Sequence, residues 1–169
     1  MLKRISSFVS AMLVLLTPLP VSAAEVWAYE GGSVPIAYLD NGAAQFQFAC
    51  RGGDLAMGFW VRAPDQQVAG AATMSLAITP DPTEGAGVSA SEGASFAQDM
   101  PLIHSDGTSA IVRGPVARQW ARIAQRAKGN IQLAYVRTKA SGALEAFDVS
   151  IFSAKGSSAA IKRVLDRCG

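Results

Sequence analysis

Few side chains in this sequence are of the types that do covalent or acid–base chemistry. Of the two cysteines, Cys50 lies in "QFQFACRGG" and Cys168 in "IKRVLDRCG", one residue from the end. Two cysteines can form a disulfide, a redox couple or half of a metal site. The sole histidine, His104, lies in "PLIHSDGTS". Its chemistry would be that of a general base, with Asp99 or Asp106 as the orienting carboxylate and a serine as nucleophile.

The spacing separates these possibilities. There is no C-x-x-C, and one histidine cannot complete a zinc site with two distant thiols. A structural disulfide between Cys50 and Cys168 is the expectation, with one possible intramolecular connectivity. Around His104 no nucleophile elbow of the G-x-S-x-G kind occurs, and the residues of "HSD" are consecutive, whereas triads are assembled from separated positions. His104 and Asp106 are therefore the residues on which a hydrolase reading would rest, and that reading is the alternative. Asp81 and Glu84, with Glu92 and Asp99 beyond, could offer oxygens to calcium, but the D-x-[DN]-x-[DN]-G spacing is absent. "GGS" and "RGGD" match neither phosphate-binding glycine motif. No metal site and no cofactor is expected.

One patterned polar feature remains. Arg118, Arg122 and Arg126 recur every four residues and fall on one face of a helix. Like charges at that spacing repel, so the stripe calls for an acid nearby. The acid is either elsewhere in the same chain or on a partner: an acidic protein or an anionic component of a cell envelope. Of Trp27, Trp60 and Trp120, which together suggest a carbohydrate platform, Trp120 falls on the apolar helix stripe. Trp60 points away from the face of its strand that carries Phe59 and Val61. Trp60 is thus either covered by a second layer or a contact residue.

The elements that must hold these residues are short. Residues 1–24 read as a secretory signal peptide: Lys3 and Arg4, then the apolar run Phe8 to Leu16, then small residues at Val21-Ser22-Ala23-Ala24. The competing interpretation is a buried N-terminal helix. The apolar run is too short to span a bilayer, and no stable membrane span is expected after cleavage. The full chain has 15 Lys+Arg against 13 Asp+Glu; losing Lys3 and Arg4 leaves 13 of each, which argues against nucleic acid. That neutrality hides opposed halves. Glu25 to Asp106 carries ten acids against Arg51 and Arg62, and Gly107 to Gly169 carries eleven bases against three acids. The simplest expectation is that the halves attract each other within one fold.

Residues 25–169 are the length of a single domain. "AQFQFAC" and "LAMGFWV" alternate, with Phe46, Phe48 and Cys50 matching Leu55, Met57, Phe59 and Val61 across the turn "RGGD". "VWAY", "VPIAY" (an edge strand because of Pro35), "TMSLAIT", "SAIVRG", "NIQLAYVRT" and "LEAFDVSIF" read as further strands. Pro80–Ser95 reads as a flexible loop. "PVARQWARIAQRAKG" reads as a helix with Pro115 in its first turn, Gly129 as its stop, and an inner stripe of Val116, Trp120, Ile123 and Ala127. The final helix, "SSAAIKRVLDRC", puts Ile161, Val164, Leu165 and Cys168 on one face. The expected fold is α+β: an antiparallel sheet or small β-sandwich with two packed helices and one disulfide.

The ending "FDVSIFSAKGSSAAIKRVLDRC" resembles the closing strand, glycine and cysteine-terminated helix of many small exported bacterial β-rich proteins of unknown function. The resemblance implies export and a β-rich domain; it implies no activity and no site residue. The expected function is therefore that of a non-catalytic envelope protein, periplasmic or secreted, acting by binding as an accessory or assembly factor.

Overall fold

The computed structural model describes residues 26–84, 88 and 93–168. The signal peptide expected at 1–24 lies outside the described residues, as do residues 85–87 and 89–92 of the expected loop. Among the described residues, nine strands form one antiparallel sheet. They are β1 (Ala28–Glu30), β2 (Ile36–Asp40), β3 (Ala44–Arg51), β4 (Asp54–Val61), β5 (Thr73–Pro80), β6 (Ser95–His104), β7 (Thr108–Arg113), β8 (Asn130–Thr138) and β9 (Leu144–Ser153). Their order is β1-β2-β3-β4-β7-β6-β5-β8-β9. Among the described residues three helices accompany them: α1 (Gln66–Ala69), α2 (Gly114–Arg126) and α3 (Ser157–Leu165). The fold is β-dominated, a single curled sheet rather than a sandwich of two.

The alternation seen in the sequence sets the register. β3 and β4 pair through a turn at Gly52-Gly53, whose φ values of 59° and 83° suit glycine and a tight hairpin. Phe46 faces Phe59, Phe48 faces Met57, and Cys50 faces Leu55, all six buried. The aromatic rings then fold the sheet onto itself. Phe46 on β3 meets Phe152 on β9 with centroids 5.6 Å apart, and Phe59 on β4 meets Tyr135 on β8 at 5.2 Å. These strands are far apart in the sheet order, so the sheet is a half-barrel around one core. Its seam is bridged by hydrogen bonds from outside the strand pairing. Asn41 Nδ2 donates to the Ile151 carbonyl, Trp27 Nε1 to Ser153, and the Trp27 amide to Lys155.

Helices α2 and α3 pack on this half-barrel and on each other, where the buried Ser157 hydroxyl donates to the Ala124 carbonyl. The inner face of α2 is Ala117, Trp120, Ala121, Ile123 and Ala124. Val116 is 36% exposed, which corrects its expected inward position. Three alanines on the face let the backbone approach the sheet closely, so the buried stripe centres on them. The helix also ends sooner than expected. Ala127, with ψ 140°, leaves the helical region two residues before Gly129.

Three further expectations change. Pro35 precedes β2 without making it an edge, because β2 pairs with both β1 and β3 and the Pro35 carbonyl accepts the Cys50 amide. β6 adds a strand that the sequence pattern does not show: "SFAQDMPLIH" lacks clean alternation, because a register shift near Asp99 (φ 50°) interrupts its pairing with β5. The segment read as a loop is anchored at its described residues. Pro80 belongs to β5, Ser95 opens β6, and Val88 is buried with Ala77, Ala134 and Val136 on the outer side of the sheet.

Candidate functional site

Cys50 and Cys168 are bonded, with Cα atoms 5.6 Å apart and a separation of 118 in sequence. Cys50 stands at the end of the inner face of β3. Cys168 lies in the turn just beyond α3, where its amide donates to the Leu165 carbonyl. Both residues are buried. The bond therefore ties the last turn of the chain to the core side of the first hairpin.

The same turn meets the arginine stripe. Arg118 Nη2 donates to the Cys168 carbonyl at 2.6 Å. Arg122 and Arg126 are exposed, with Arg126 Nε donating to the Arg122 carbonyl. Together with Pro115 and Gln119 the three arginines line a shallow concavity of about 330 Å³. Among the described residues none of the three forms an ion pair. The ion pairs are Arg62–Asp40, Arg113–Asp54, Lys139–Glu145 and Lys162–Asp166. Among the described residues only one ion pair, Arg113–Asp54 at 3.9 Å, joins the acidic half to the basic half. Asp81 of the acidic half also feels the Lys128 charge, while the stripe forms no ion pair among the described residues.

His104 uses both ring nitrogens locally. A carbonyl only accepts, so Nε2–H donates to Ala71 O at 2.9 Å, and Nδ1 then accepts from the Thr108 hydroxyl at 3.0 Å. Its partners are the rim of β5 and the start of β7, not Asp99 or Asp106. Both aspartates are exposed and have positive φ. This is the geometry of a histidine that closes the β6–β7 turn.

Of the carboxylates considered for calcium, Glu92 lies outside the described residues. Asp81 accepts the amides of Lys128, Gly129 and Asn130. Burial resists its ionisation, but the three amide donors outweigh that and hold its carboxyl below the usual range. Asp81 therefore fixes the chain just after α2. Among the described residues no cluster of three or more metal-ligating side chains occurs. One carboxylate runs the other way. Asp148, in β9 with φ 47°, is pushed up first by burial and then by the Asp65 charge, against the Asp65 amide that it accepts at 3.0 Å. Sequence reasoning missed this pair because a bulge between β8 and β9 creates it.

The tryptophans separate. Trp27 and Trp120 are in the core. Trp60 is half-buried on the outer face of the sheet, with the Arg62 guanidinium 4.6 Å from its ring centroid. It walls a groove of about 350 Å³ with Gln45, Gln47, Gly58, Ser109 and Ile111. Gly107 abuts the same indole: a Cβ there would collide with the Val61 carbonyl and Trp60 Nε1. The alternation of β4 indicated that Trp60 points outward; the groove itself was invisible, because it depends on which strands lie beside β4.

No family model matches the chain, and no curated protein matches it. A solved structure, that of invasion associated protein B from Bartonella henselae, is similar over 84% of this chain and 93% of that one, with a TM-score of 0.51 and 10% identity. At that identity the likeness is one of fold.

Proposed function

We propose that this is an exported protein of the bacterial envelope that acts by binding, as an accessory or assembly factor, and that the arginine face of α2 is where it meets an acidic partner. One observation carries the reading: Arg122 and Arg126 are exposed side by side and are engaged by no carboxylate among the described residues. Two adjacent guanidiniums cost the helix local repulsion, and an anionic partner relieves it. The partner is an acidic protein or an anionic envelope component. The disulfide fits an oxidising compartment, and the N-terminal signal pattern fits export to it. The half-barrel shared with a bacterial protein titled invasion associated is compatible with an envelope role.

The test is site-specific photo-crosslinking in cells. A crosslinker at Gln119, exposed among the arginines, captures an envelope component. The same group at Ser141, exposed on the β8–β9 turn, does not. Equal capture at the two positions, or none at Gln119, contradicts the reading.

A further inference from the structure

The groove on the outer face of β3, β4 and β7 is separate from the arginine face and differs from it in chemistry. Its floor is Gly58, paired with Gln47 on one side and Ile111 on the other. A Cβ at Gly58 would press on the Gln47 side chain at 3.2 Å, so the bare glycine both opens the floor and seats that amide. Trp60, two residues along the same strand, lies between Gln45 and Ser109 and forms the wall. Gln45 Nε2 donates to Gln47 Oε1, which leaves the second Gln45 N–H, the Gln45 carbonyl and the Gln47 NH₂ group without partners in that bond.

Three features limit what fits. The volume, about 350 Å³, is that of a small-ligand site. No charged side chain lines the groove, and Arg62, whose guanidinium lies over the Trp60 ring, is engaged by Asp40. A charged ligand would find no counter-charge there. All three strands are interior to the sheet, so no backbone edge is open to an added peptide strand. What remains is recognition by side chains alone: an indole, two amides and a hydroxyl. An indole offers an apolar surface to the C–H face of a sugar ring, and planar amides match paired hydroxyls as donor and acceptor. We infer that this groove binds a neutral sugar ring of an envelope glycan, which would give the protein a second attachment independent of the cationic helix.

The experiment is an NMR titration of the disulfide-bonded protein with three uncharged probes: maltotriose, cellotriose and the trimer of N-acetylglucosamine. At least one of them shifts the Gln45 and Gln47 side-chain amides and the Trp60 indole N–H saturably. Trp60→Ala weakens that binding by about tenfold or more, a loss of roughly 1.4 kcal/mol. Ser109→Gln, which fills the groove from the neighbouring strand without touching the core, does the same while the spectrum stays dispersed. Arg122→Gln/Arg126→Gln leaves it unchanged, which keeps this inference separable from the arginine reading. Silence of these resonances with all three sugars overturns the inference. So does binding that survives both groove variants, or an uncharged peptide that shifts the same resonances more tightly than any sugar.

Discussion

The guanidinium of Arg118 and the carbonyl of Cys168 are joined by a 2.6 Å hydrogen bond, which ties the first arginine of the α2 stripe to the disulfide-bonded end of the chain. The three arginines are therefore not equivalent. Arg118 is half-buried and holds structure; Arg122 and Arg126 are exposed. Arg126 lies in the last turn of α2, where a cation suits the helix dipole, but it too is open to solvent.

Arg118→Gln should lower stability by about 1–2 kcal/mol, because a charged donor to a partly buried carbonyl is lost. Arg122→Gln and Arg126→Gln should each stay within about 0.5 kcal/mol of wild type. Urea denaturation of the three variants checks this. A triple replacement would confound folding with binding, so the Arg122→Gln/Arg126→Gln pair is the clean probe of the surface.

Replacing Cys168 by Ser, or reducing the bond, should cost about 4–5 kcal/mol by the chain-entropy argument for a loop of this length. Chemical denaturation with and without reductant measures it. A change below about 1 kcal/mol would mean that the turn after α3 holds without the bond.

The disulfide also shows which parts of the fold were legible in the sequence. Cys50 was placed by strict period-two alternation with Phe46 and Phe48, a signal that survives any arrangement of neighbouring strands. For Cys168 the helical period gives the right side but the wrong element. The helix ends at Leu165, and a turn, not a helical face, carries the cysteine inward. β6 was missed because its bulge breaks the alternation on which strand recognition depends. Of the site residues, the arginine stripe was visible as a helical period. Its lack of carboxylate partners among the described residues, the division of labour between Arg118 and the other two, and the groove beside Trp60 all depend on long-range neighbours that no local pattern encodes.

His104→Ala should reduce stability by about 1–2 kcal/mol, since it leaves the buried Thr108 hydroxyl without its ring acceptor. Envelope phenotypes and partner capture should persist in the variant. Loss of a hydrolytic activity with stability intact would instead revive the reading in which His104 is a general base.

The two perturbed aspartates should give opposite pH effects. Asp81 is held below the ordinary value, so its stabilisation is present above the unfolded pKa of about 3.9 and is lost as pH falls through the folded value. Asp148 is raised, so its ionised form penalises the fold at neutral pH, and that penalty is relieved as pH falls through the raised value. Asn tolerates the positive φ at both sites. Asp81→Asn should therefore be most destabilising at neutral pH, with its deficit shrinking toward pH 3. Asp148→Asn should compare best with wild type at neutral pH and lose that advantage on acidification. Thermal unfolding at stepped pH distinguishes these signs.

Whether the exposed cations of α2 carry the partner is decided by quantitative capture from an envelope extract. Disulfide-bonded wild type and the Arg122→Gln/Arg126→Gln variant, matched for stability by urea titration, are immobilised at about 0.05 and 0.3 M salt. The account predicts that wild type retains an acidic component at low salt and much less of it at high salt, and that the variant retains about tenfold less at low salt. Equal retention by the two proteins, unaffected by salt, would contradict it.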